Sequence, residues 1–139
     1  MQETKRYLNQ AYRLNELIQS DKDDLKDLEE LKDSIPGIDY SKDKVQVSPT
    51  NEASYAKIIA KIDNLIRVIH ADIENLLDLK LEIRGVIALV KKNDHRLVLQ
   101  LRYLNFYKWN KIAEVMNVSE RTAIRIHDDA IEKVKIPEK

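Results

Sequence analysis

The chain of 139 residues has no cysteine, only two glycines and three prolines, and a single tryptophan. Without thiols there is no disulfide framework and no thiolate metal centre. Two glycines cannot build a phosphate-cradling loop or a nucleophile elbow. No stretch approaches the roughly 18 consecutive apolar residues of a membrane span, and the N-terminus has no apolar signal core. A cytoplasmic protein is expected. Net charge is also lacking, with 24 basic residues against 24 acidic.

What remains is 43% hydrophobic and 35% charged residues. Rich charge with few breakers is the profile of long helices, and the expected fold class is all-α. The charge is unevenly spread. Residues 1–53 carry 8 Lys/Arg against 12 Asp/Glu, residues 54–93 carry 7 against 5, and residues 94–139 carry 9 against 7. Within 95–127 there are 6 basic residues and 2 acidic ones. Positive charge therefore gathers where a phosphate-binding surface would need it.

Along 3–33, Leu8, Ala11, Leu14, Leu17, Ile18, Leu25, Leu28 and Leu31 recur every three or four residues, which predicts an amphipathic helix. Asp21, Asp23 and Asp24 interrupt the stripe and predict a bend or break near Ser20. Ile35-Pro36-Gly37 ends the helix, because proline excludes helical geometry for the residue before it. Residues 34–53 read as a connector, with "KVQV" a short extended piece and Asn51 or Ser54 the cap of the next helix.

That next helix has the strongest period in the chain. Tyr55, Ile62, Ile69, Leu76, Ile83 and Val90 recur every seven residues, Ile59, Ile66, Ile73 and Ile87 lie four residues after most of them, and Ile58, Leu65, Leu79 and Val86 widen the face. A helix of roughly 38 residues is expected. Gly85 marks either a weak point or a close approach to a neighbour. A face this broad needs more than one partner. Residues 1–93 are read as an antiparallel helical hairpin or coiled-coil stalk, forming a homodimer through 3–33 and 54–92. The alternative is an intramolecular bundle with the C-terminal module.

Residues 94–139 read as a compact module. Asp94 is placed as a cap, and Leu97, Leu99 or Val98, Leu101 and Leu104 supply one helix face. "NFYK" is a turn in which Asn105 can turn left-handed. Trp109, Ile112, Ala113 and Met116 form the inner face of a further helix. Asn117-Val118-Ser119 is a corner: Asn117 takes positive φ, Val118 plugs the gap, and Ser119 caps the last helix. That helix buries Ala123, Ile126 or His127, Ala130 and Val134. Crossing helices need a small side chain where they touch, which Ala113 supplies. The first turns of the last helix then protrude, carrying Glu120, Arg121, Thr122 and Arg125 with Lys108 and Lys111 beside them. A protruding helix of this width fits the DNA major groove, and its capped start suits a phosphate.

The stretch "LVLQLRYLNFYKWNKIAEVMNVSERTAIRIHDDAIEKV" resembles region 4 of bacterial sigma factors and its helix-turn-helix relatives. The shared features are a leucine-rich "LRY" helix, an "IA" helix, a "VS" corner and a "T" recognition helix. Relatives of this type often carry glycine at Asn117 and basic residues where this chain has Asp128 and Asp129. The whole chain resembles small RinA- and ArpU-like phage transcriptional regulators of Gram-positive hosts. That resemblance implies control of phage gene transcription through double-stranded DNA, with the long helices either dimerising the chain or presenting it to RNA polymerase. The contacts expected are Lys108, Lys111, Ser119, Glu120, Arg121, Thr122 and Arg125. The competing reading is a sigma-like interaction module that binds polymerase or a sigma factor without reading DNA.

Other chemistry has little footing. His70, His95 and His127 lie 25 and 32 residues apart with no second ligand in pattern, so no metal site is expected. "DKDD" and "DLEE" alternate with lysines as solvated ladders do, rather than as acid–base pairs. Neither an enzyme nor a bound cofactor is expected.

Overall fold

The computed structural model describes residues 2–35 and 49–137. Most of the connector expected over 34–53, including "KVQV", lies outside the described residues. Within them the chain is all-helical, with six helices and no strand: α1 (Gln2–Leu8), α2 (Gln10–Asp33), α3 (Pro49–Ala88), α4 (Asn93–Tyr103), α5 (Trp109–Met116) and α6 (Glu120–Ile131).

The first interruption falls at Asn9 and not near Ser20. Hydrogen bonding continues across it, from Asn9 N to Lys5 O at 2.9 Å and from Arg13 N to Asn9 O at 3.0 Å. Asp23 and Asp24 are exposed and Asp21 half-buried, so these acids meet water without breaking α2. Beyond Asp33, Ser34 N bonds back to Glu30 O, and its hydroxyl donates to Leu31 O at 2.8 Å.

The seven-residue repeat forms a helix of 40 residues, close to 60 Å long at about 1.5 Å per residue. Pro49 is its first helical residue, where a missing N–H leaves no bond unmade. Asn51 and Ser54, read as caps from the sequence, therefore lie inside α3. At the other end the ladder tightens to i→i−3 bonds, from Leu89 N to Val86 O and from Val90 N to Ile87 O.

The chain divides into two compact units, one of Met1–Asn15 with Glu74–Lys139 and one of Glu16–Ile73. In the first, Leu8, Ala11, Ile83, Ile87 and Val90 share a core with Val98, Leu99, Ile112, Ala123 and Ile131. The last turns of α3 thus bury their stripe against their own chain. In the second, Ile18 and Ile69 are buried, while Leu25, Leu28, Ile62 and Leu65 are half-buried. A substituent at Gly85 would meet nothing within 4 Å, so this glycine is not a point of close packing.

The C-terminal helices settle three finer points. Leu97, expected on the inner face of α4, is exposed, while Val98 and Leu99 are both fully buried. Lys92 is the residue before α4, and Asp94 sits in the first turn rather than at the cap. There its carboxylate still complements the helix dipole. Between α4 and α5 the left-handed residue is Phe106 (φ 60°) and not Asn105. The Phe106 ring meets Tyr12 edge-on at 5.8 Å between centroids, and Lys80 Nζ lies 4.6 Å above it. These two contacts help to offset a conformation that costs a bulky residue roughly 1–2 kcal/mol.

Candidate nucleic-acid interface

The corner between α5 and α6 follows from three adjacent residues. Asn117 is left-handed, with φ 58° and ψ 46°. Its N–H reaches Glu114 O at 3.2 Å, and Val118 N reaches Ala113 O at 3.0 Å. This crossed pair satisfies the last carbonyls of α5, as helices ending in a left-handed residue commonly do. Ser119 then caps α6, its hydroxyl accepting from Thr122 N at 3.1 Å. The same hydroxyl lies 2.9 Å from the Thr122 hydroxyl. Thr122, half-buried, is tied to the cap.

The corner stands on a packed base. α6 packs against both α4 and α5, and Ile112, Ala123, Ala130 and Ile131 are fully or almost fully buried between them. Ala113, only 6% exposed, keeps the α5 backbone close. Trp109, Met116, Val118, Ile126 and Val134 are half-buried against this core. Ile131 was not among the residues read as buried, because periodicity alone does not show where a last turn is covered.

Two structural arginine and histidine contacts hold the base together. Arg102 donates from Nη1 to Tyr107 O at 3.0 Å, and its guanidinium lies 4.8 Å above the Trp109 ring. His127 is 4% exposed, its Nε2 lies 2.6 Å from the Tyr103 hydroxyl, and its Nδ1 lies 3.1 Å from Asp128 Oδ1. Burial, the largest influence, pushes the imidazole below its ordinary pKa of 6.5, although Asp128 pulls the other way. Burial also pushes the Tyr103 hydroxyl up to about 12. Asp128 therefore turns one carboxylate oxygen to His127 while its side chain stays about half exposed.

The residues expected at the interface fall in two places, the start of α6 beside the corner and the start of α5 at the other end of that helix. Glu120, Arg121 and Arg125 are exposed on the first two turns of α6, and Ser119 is exposed at its cap. Lys108 is exposed just before α5, and Lys111 is exposed in its first turn, its Nζ lying 6.0 Å above the Tyr107 ring. No ion pair among the described residues involves Lys108, Lys111, Arg121 or Arg125. Arg121 and Arg125 thus stand on a helix start whose backbone N–H groups are partly free, and Lys108 and Lys111 add exposed charge at the start of α5; such groups can hold phosphate oxygens or base edges. Arg96 is half-buried, and its guanidinium is bonded to the Asn93 side chain.

A family model described as protein of unknown function (DUF1492) matches residues 34–135. The chain belongs to that family. The match takes in all of α3 through α6, including the corner and the four exposed cations, while α1 and α2 precede it. The DUF1492 region therefore carries the whole candidate interface together with the long helix leading into it. No curated protein matches the chain, and no solved structure does.

Proposed function

We propose that this chain is a sequence-specific DNA-binding transcriptional regulator of phage or prophage genes. In this reading residues 94–139 form a helix-turn-helix head like sigma factor region 4. Residues 1–93 form an antiparallel helical hairpin through which two copies associate. The head reads the major groove with 119–134. It is a binding protein and not an enzyme.

One observation carries the reading: the exposed Arg121 and Arg125, without an ion pair among the described residues, stand four residues apart on the first turns of a capped helix, directly after a left-handed corner. An arginine aimed at a guanine edge makes two parallel hydrogen bonds, worth roughly 1–3 kcal/mol of discrimination. Lys108 and Lys111 serve the phosphates, which position the head without reading sequence. Glu120 complements the α6 dipole, and Thr122 supports the cap. The hairpin is supported by the way Met1–Asn15 and the chain from Glu74 onward fall in one compact unit.

The test is selection of bound fragments from a library of phage and host DNA by the full chain. Enrichment of a discrete site supports the reading. Uniform weak retention of every fragment sinks it and favours the interaction module, for which polymerase and sigma subunits are then the probes.

A further inference from the structure

Away from the corner, the first compact unit holds a pocket of about 630 Å³. Its floor is Val86, Leu89 and Val90, at the end of α3. Leu89 is 77% exposed, more than any other large hydrophobic side chain described. The rim is Lys91 and Lys92 from one segment and Lys133 and Lys135 from the stretch after α6, with buried His95 between. No carboxylate lines the pocket, and none of the four lysines forms an ion pair among the described residues.

Such a pocket selects for a ligand with two properties at once. The floor needs apolar surface to cover Leu89, and the rim needs negative charge to neutralise four ammonium groups. A bare phosphate satisfies only the second. The chain itself carries a segment with both. Residues 21–33 hold seven acids against three lysines. On the outward side of α2, Leu17 is 50% exposed and Leu31 is 52% exposed. Leu17, Asp24 and Leu31 follow one another at seven-residue intervals, so they share a face, and exposed Asp27 lies one turn before Leu31.

We propose that the lysine-rimmed pocket receives this outward face of α2 from a second copy of the chain. Leu31 covers the Val86–Leu89–Val90 floor, and Asp24 and Asp27 meet the lysines. The proposal rests on the self-association reading and extends its contact beyond residues 1–93 to Lys133 and Lys135 after α6. It also leaves DNA accessible, because Lys133 and Lys135 follow the C-terminal end of α6 whereas Arg121 and Arg125 occupy its beginning.

The experiment is sedimentation velocity of the full chain over a range of concentrations, with circular dichroism to establish that each variant is folded. All substituted positions are exposed, so folding is expected to survive. Lys91→Glu/Lys133→Glu and Asp24→Lys/Asp27→Lys should each weaken association by about tenfold or more. Combining the two pairs in one chain should restore it, since the charges are then exchanged. A peptide of residues 15–33 should compete with the wild-type association. If the wild type associates and neither pair alters it, the self-association reading stands and the pocket contact is overturned. A wild type that stays monomeric at every concentration overturns both. If the lysine pair loses DNA affinity with association unchanged, the pocket serves phosphates and the proposal fails.

Discussion

The Tyr103 hydroxyl lies 2.6 Å from Nε2 of His127 and joins α4 to α6 inside the core. Tyr103 is neutral, its pKa pushed up to about 12, so its O–H is available to donate. The tautomer of His127 that satisfies both neighbours carries its proton on Nδ1, facing Asp128. This bond orients α6 from within, on the side of the helix away from Arg121 and Arg125.

Tyr103→Phe leaves Nε2 of His127 buried without a partner, and a stability loss of about 1–3 kcal/mol is expected in urea denaturation at neutral pH. The same pair sets a pH dependence. The folded pKa of His127 is lowered, so the folded state binds fewer protons than the unfolded chain. Its contribution to stability is fully present above the unfolded value of 6.5 and declines as pH falls from there toward the folded pKa. Denaturation midpoints should therefore drop on acidification from neutral pH, and His127→Gln should flatten that slope. An unchanged slope in the variant would assign the acid sensitivity elsewhere.

At the corner, Asn117 already pays little for positive φ, so Asn117→Gly should be nearly neutral in thermal unfolding. Asn117→Val should lose roughly 1–2 kcal/mol, because a branched side chain crowds the backbone in this conformation. Ser119→Ala should lose about 0.5–2 kcal/mol through the missing cap. Equal stability of all three variants would contradict the described corner.

Gly85 lies inside α3 with open space where a methyl group would go. Gly85→Ala should raise stability by roughly 0.5–1 kcal/mol, chiefly by restricting the unfolded chain. A destabilised variant would mean that something covers this position in solution, and the change should then track protein concentration.

Much of this arrangement is legible in the residues. The seven-residue repeat from Tyr55 specifies a long helix, and Asn117-Val118-Ser119 specifies the left-handed corner and its cap, because both rest on local geometry. Element starts were less legible. Pro49 opens α3 where Asn51 or Ser54 was expected, since a proline at a first helical position looks from sequence like a breaker. Phe106 takes the positive φ expected of Asn105 because Tyr12, a distant residue, packs on its ring. The Tyr103–His127 bond and the lysine-rimmed pocket each join segments far apart in the chain, and no local period reports such contacts. The outward arginines were legible as residue types, and their exposure followed once Ala123, His127 and Ala130 occupied the inner face of α6.

The most direct measurement is the salt dependence of DNA affinity for the wild type and for Arg121→Ala/Arg125→Ala, on the fragment that selection enriches most. Each phosphate contact contributes roughly 0.9 to the slope of log affinity against log salt, whereas base contacts contribute discrimination between sequences. The account predicts that the double variant loses preference for the enriched fragment over random DNA, with a smaller slope if either arginine also holds a phosphate. Wild type and variant binding every fragment with equal affinity and equal slope would contradict it.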